Sequence, residues 1–136
     1  MYQACLLHTR TDRALRAVVS SHLKKFGVTR MEWLLLASIK EALTEGAGMT
    51  TLAVALDVSL PQITALSVNL QRNGLIRQQA DPNDRRAKII LVTQKGSKLI
   101  TNIEVSMRSA LKDWLAGIPM PQLEAYMNTV QQLATR

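Results

Sequence analysis

The sequence predicts a mostly helical α+β fold, and three observations carry that expectation. Apolar residues recur at helical spacing in six segments of the 136-residue chain. Between the fourth and fifth of these, residues 75–79 and 87–91 read instead as two short strands flanking the turn-forming run ADPNDRR. Aromatic residues make up only 4% of the chain against 47% hydrophobic, so the core must be aliphatic, which suits helices packed on helices.

The elements follow in order. Over residues 4–26, Leu7, Leu15, Val18, Val19 and Leu23 lie near helical spacing with Arg and Lys between them, and Gly27 stops the helix. Thr29 opens the second helix. Its hydroxyl is placed to accept from the backbone N–H of Glu32, whose carboxylate accepts in return from the Thr29 N–H, a capping box. Met31, Leu34, Leu35, Ile39 and Leu43 then form one apolar stripe. EGAG, residues 45–48, reads as a loop by its glycines. A short helix around residues 50–56 is expected to turn Leu52, Ala55 and Leu56 inward, and Asp57 and Val58 form a tight turn. Ser59 caps the next helix, with Pro61 in its first turn, where a missing N–H costs little. Ile63, Leu66 and Leu70 stripe that helix and Gly74 ends it. Beyond the hairpin, Thr93 caps a long helix to about residue 115 carrying Leu99, Ile103, Met107, Ala110, Leu111 and Trp114. Gly117 and Pro119 break it, and a last helix from about Pro121 carries Leu123, Met127, Val130 and Leu133.

A short helix, a tight turn and a second helix with a polar outer face make the shape that enters a DNA major groove. The basic hairpin directly after it makes this a winged helix-turn-helix. The chain is read as a single domain over 1–136, with a DNA-binding lobe at 28–96 and helical dimerisation arms at 1–27 and 97–136. The stripes of the arms are larger than so small a lobe can cover.

Charge points the same way. The net charge is +7, and residues 51–100 hold seven basic and three acidic groups against three of each in residues 101–136. An excess over residues 51–100, around the helix-turn-helix and hairpin, suggests a polyanionic partner, here double-stranded DNA. Cys5 is the single cysteine, so no intramolecular disulfide forms and a reducing, cytoplasmic setting is expected. No apolar run approaches the roughly 20 residues of a membrane span, and the N-terminus lacks the order of a signal peptide, so no membrane partner is expected. His8 and His22 are fourteen positions apart, about four helical turns, too far to share a metal. No Ser-His-Asp set, Gly-rich phosphate loop or paired-carboxylate motif occurs. The expectation is therefore no enzyme, no cofactor and no metal.

The run NGLIRQQADPNDRRAKIILVTQKG, residues 73–96, resembles the wing of the MarR-type winged helix-turn-helix regulators. Gly74, Leu75, Ile76, Asp81, Pro82, Asp84, Arg85, Arg86, Thr93 and Gly96 match that pattern in type and spacing. VTRMEW at 28–33 and LAVALDVSLPQIT at 52–64 add to it, while the first and last helices match by pattern only. The chain departs from the family at Ala65, where a basic residue is usual, and at Gln78, where the family commonly has Arg.

Candidate contacts follow from both readings. On a helical wheel Pro61, Thr64, Ala65, Val68 and Arg72 lie opposite the Ile63, Leu66 and Leu70 stripe, flanked by Gln62 and Asn69, with Ser59 at the helix start. Hydroxyl and amide groups there suit base edges, and apolar groups suit thymine methyls; a merely solvated face is the plainer alternative. Arg85 and Arg86 at a turn are ordinarily solvated. The resemblance implies instead that Arg86 enters the minor groove, held by an ion pair to Asp84, while Arg85 and Lys88 touch phosphates. It also implies that the arms interlock two chains around a cleft for a small-molecule effector, for which Trp33, Leu36, His8 and Met107 are candidates. Cys5 is a candidate redox sensor, with Tyr2, His8 and Arg10 near in sequence; an inert thiol is the commoner case.

The expected function is that of a sequence-specific DNA-binding transcriptional regulator. As a homodimer it would bind a pseudo-palindromic operator and repress, with release by a small ligand or oxidant. A winged-helix protein-interaction module with reduced DNA affinity is the rival from another class, kept open by Ala65 and Gln78, and a soluble ligand carrier using the cleft is a third.

Overall fold

The computed structural model describes residues 1–42 and 46–136; Leu43, read as part of the second stripe, and Glu45, read as loop, lie outside them. The order is α1 (Tyr2–Leu23), a 3-10 turn (Lys24–Phe26), α2 (Arg30–Glu41), β1 (Ala47–Gly48), α3 (Met49–Ala55), α4 (Leu60–Arg72), β2 (Ile76–Ala80), β3 (Lys88–Val92), α5 (Gln94–Trp114) and α6 (Met120–Ala134).

The helix ends obey the local chemistry that predicts them. Gly27 closes the first segment at φ 68, a left-handed value that only glycine adopts without cost. The Thr29–Glu32 capping box is complete, with Glu32 Oε2 accepting from the Thr29 N–H at 2.8 Å and Thr29 Oγ1 from the Glu32 N–H at 3.2 Å. Thr93 does more than cap α5. Its Oγ1 accepts from the Gly96 N–H at 3.1 Å and donates to the Gly74 carbonyl at 2.7 Å, tying the start of α5 to the end of α4. Gly96 is required there because a Cβ would lie 2.1 Å from the Leu75 carbonyl oxygen.

The sheet corrects one expectation. β2 and β3 pair antiparallel from Ile76↔Val92 to Ala80↔Lys88, one residue later than the sequence suggests. Ala47–Gly48, read as loop, instead forms β1 on the other edge of β3, with Ala47 opposite Ile90 and Gly48 opposite Ile89. A second correction concerns α3, which buries Leu52 and Ala53 and leaves Ala55 exposed. A seven-residue helix spans under two turns, too short for its apolar spacing to fix which side faces in.

Two apolar clusters hold the chain together. The larger joins Leu35, Leu36, Ile39, Leu52, Ile63, Leu70, Ile76, Ile90 and Ile100 from α2, α3, α4, the sheet and α5. The smaller joins Val19, Leu23, Ile103 and Met107 where α1 crosses α5. Each such side chain contributes roughly 1.5–3 kcal/mol by leaving water. The arms differ. No residue of α6 is buried, and Tyr2, Leu7, Val105, Met120, Tyr126, Met127 and Leu133 are exposed. Trp114, expected on the inner stripe of α5, is 40% exposed, while Ile100 takes an inward place that the stripe omitted. Among the described residues, no single helix is long and apolar enough to cross a membrane.

Candidate nucleic-acid interface

The chain turns by 109° between α3 and α4, within the range of a helix-turn-helix. Asp57 makes the turn at φ 52, and the Val58 N–H donates to the Ala53 carbonyl at 3.0 Å. Asp tolerates the left-handed region better than bulkier residues do. Packing of Ile63, Ser67 and Leu70 on the core then turns the other side of α4 outward. Ser59, Pro61, Gln62, Thr64, Ala65, Val68, Asn69 and Arg72 are all exposed on it.

Several of these polar groups already have partners. Ser59 and Gln62 form a second capping box: Gln62 Oε1 accepts from the Ser59 N–H at 2.9 Å and Ser59 Oγ accepts from the Gln62 N–H at 3.4 Å. Thr64 Oγ1 donates back to the Leu60 carbonyl at 3.0 Å. Asn69 Nδ2 donates to Oε1 of Glu32, a carboxylate buried at 6% exposure, so the recognition helix is tethered to the start of α2. Gln62 and Asn69 therefore serve the fold before any partner.

The wing tip is built by its two aspartates. Asp81 Oδ1 accepts from the Asn83 N–H at 2.8 Å, and Asp84 Oδ1 accepts from the Arg86 N–H at 2.9 Å. The Ala87 N–H closes the turn on the Asp84 carbonyl at 3.0 Å. The ion pair expected from Asp84 to the Arg86 guanidinium is not formed; Asp84 Oδ1 instead accepts from the Arg86 backbone N–H. Asp84 orients the peptide and leaves the guanidinium outside. Arg85, Arg86 and Lys88 are exposed, and among the described residues none of them has an ion-pair partner.

Sequence reasoning weighed Gln78 and passed over its neighbour. Gln78 stands opposite Ile90, a fully buried core residue, so it shares the inward face of β2. Arg77 lies on the other face and is exposed, with Nη1 donating to Gln79 Oε1 at 2.8 Å. Strand alternation held this signal: a side chain flanked in sequence by inward residues must point out.

The cleft candidates separate. Trp33 and Met107 line a groove with Arg108, Leu111 and Met120, whereas Leu36 is buried in the larger core cluster and His8 is exposed on α1. The Trp33 indole N–H is buried with no hydrogen-bond partner among the described residues. His22 reaches across from α1, its Nε2 2.6 Å from Ser106 Oγ. Cys5 is exposed on α1, and its thiol makes no hydrogen bond among the described residues.

The sequence profile of the MarR family matches residues 26–87, the stretch from the end of α1 to the wing tip. A MarR-family transcriptional regulator from Rhodococcus sp. RHA1 superposes with a TM-score of 0.89 at 24% identity, over 97% of this chain and 92% of that one. The profile covers just under half of this chain, across the helix-turn-helix and the wing, and the likeness is to MarR-family regulators. CouR from Rhodococcus jostii RHA1, solved bound to p-coumaroyl-CoA, is similar at 26% identity and TM-score 0.86, over 94% of this chain and 89% of CouR. S. aureus MepR in complex with DNA shares the fold at TM-score 0.82 and 20% identity, over 96% of both chains. The winged helix-turn-helix expected from the sequence is thus the fold observed.

Proposed function

We propose that this chain binds duplex DNA as a homodimer, represses from a pseudo-palindromic operator, and is released by a small effector. The observation that carries this reading is the placement of two exposed elements on one lobe. α4 presents its outer face, and directly after it the wing presents Arg85 and Arg86 without ion-pair partners among the described residues. A helix in the major groove and a guanidinium in the adjacent minor groove use that arrangement together, since a narrow minor groove concentrates negative potential. Arg72, Arg77 and Lys88 add charge for phosphate oxygens. The exposed apolar residues of α1 and α6 support pairing, because apolar surface left uncovered in one chain is available to another. Lobe 28–96 reads DNA and segments 1–27 and 97–136 pair the chains.

Release fits the groove beside Trp33. Glu32, the preceding residue on α2, holds Asn69 of the recognition helix, so a shift at Trp33 is felt at α4. Fold neighbours solved with DNA and with a coenzyme A thioester support both halves of the reading. The test is selection of bound duplexes from random DNA by the purified protein. An enriched palindrome with two half-sites is expected. No enrichment at low salt would favour a protein-docking role for the same surface.

A further inference from the structure

The outer line of α4 is apolar. Pro61, Ala65, Val68 and Arg72 recur at intervals of four, three and four, which places them within about 60° of one another around the helix axis. They face away from Ile63 and Leu70, both fully buried. Val68 is 49% exposed and Leu60, at the helix start, 47%. Three polar side chains beside this line are engaged within the chain: Gln62 Oε1 with Ser59, Thr64 Oγ1 with the Leu60 carbonyl, and Asn69 Nδ2 with Glu32. Arg72 and Gln71 at the C-terminal end and the Gln62 amide nitrogen remain for donation.

Reading bases by hydrogen bonds needs donors and acceptors at the centre of the reading face, and this helix holds them elsewhere. In the major groove thymine alone among the four bases presents an apolar group, its 5-methyl. We infer that α4 reads its half-site chiefly through thymine methyl groups packed against Ala65 and Val68. Arg72 and the wing arginines hold the helix in place by charge. The inference rests on the DNA-binding reading above and specifies what that surface recognises. Charge decides for DNA over an apolar protein groove: the chain carries +7, and the apolar line ends on Arg72.

The experiment uses the full chain and its selected operator, with thymidine replaced by deoxyuridine one position at a time, symmetrically in both half-sites. The two nucleotides pair identically and differ only by the methyl. Loss of one buried methyl is worth about fourfold in affinity, hence about 15-fold for a symmetric pair. That loss is expected at one or two positions per half-site. Val68→Ala, at an exposed position where Ala favours the helix, should shrink the largest of these ratios to under about fourfold. Arg86→Ala should weaken binding to every duplex and leave the ratios intact. The methyl reading is overturned if no exchange costs as much as twofold while A·T to G·C changes at the same positions cost tenfold. It is equally overturned if Val68→Ala leaves every ratio unchanged, because the methyl then acts through the DNA alone. Failure to enrich any duplex would overturn the DNA-binding reading itself, whereas an enriched operator indifferent to deoxyuridine overturns only the methyl code.

Discussion

The lobe at 28–96 and the helical arms at either end bury their apolar residues on different terms. In the lobe, six fully buried side chains from four kinds of neighbour (Leu35, Leu36, Ile63, Leu70, Ile90 and, from the base of α5, Ile100) close one core within a single chain. In the arms, α6 has comparable apolar content and buries none of it, and the first half of α1 exposes Tyr2 and Leu7. Apolar spacing alone therefore does not say where a stripe finds its partner. The lobe closes its own core, whereas α6 and the start of α1 leave their apolar side chains exposed, the surface proposed above to pair two chains.

The largest test of this contrast compares a core truncation with an arm truncation. Ile90→Ala should lower the unfolding free energy by about 2–5 kcal/mol, as in buried large-to-small changes generally. Met127→Ala, at 61% exposure, should leave unfolding at high dilution unchanged. It should instead raise the dimer dissociation constant about tenfold if Met127 lies in a well-packed interface centre. Urea unfolding and sedimentation across a dilution series separate the two. Equal loss of stability from both variants at every dilution would show that α6 packs within its own chain.

Within the lobe, the wing and the recognition helix should also part company. Arg86→Ala is expected to cost about 1–3 kcal/mol on the operator and to flatten its salt dependence by about one phosphate equivalent per subunit. Gln62→Ala removes the acceptor of the second capping box. It should cost about 0.5–2 kcal/mol of stability with no change in salt slope. Anisotropy titrations at several salt concentrations, beside thermal unfolding, read both. An altered salt slope in Gln62→Ala would mean that its amide meets a phosphate rather than the helix start.

These side chains also show how far sequence goes. The capping residues Thr29, Ser59 and Thr93, the stops at Gly27 and Gly74, and the hairpin were legible because their chemistry is local. The ion pair from Asp84 to Arg86 comes from the resemblance alone, and the structure shows Asp84 Oδ1 accepting from the Arg86 N–H at 2.9 Å, a bond set by the turn rather than by charge. β1 was missed because two residues carry no alternation, and what defines them is the exposed edge of β3. Leu36, a cleft candidate, lies in the core, which its spacing from Leu35 and Ile39 serves equally well. The Glu32–Asn69 bond joins residues 37 positions apart and left no local trace.

The smallest expected effect lies on the exposed face of α1. A hydrogen bond from the Arg16 guanidinium holds the Asp12 carboxyl below its ordinary range, against the opposing pull of slight desolvation. A carboxylate depressed in the folded state adds stability above its unfolded pKa and loses it as pH falls through the folded value. Fully exposed pairs of this kind contribute little, so acid should shift folding there hardly at all. An NMR titration should find the Asp12 midpoint higher in Arg16→Gln than in the wild type; identical midpoints would remove the pair from the account.

The central claim is that two chains, joined through their arms, present two winged lobes to one operator. Sedimentation of the protein with its selected palindromic duplex measures this directly. A free species of about twice 15.1 kDa and a saturated complex holding two chains per duplex are expected, with no stable intermediate of one chain bound. A monomer that fills the half-sites independently, one chain at a time, would contradict the claim.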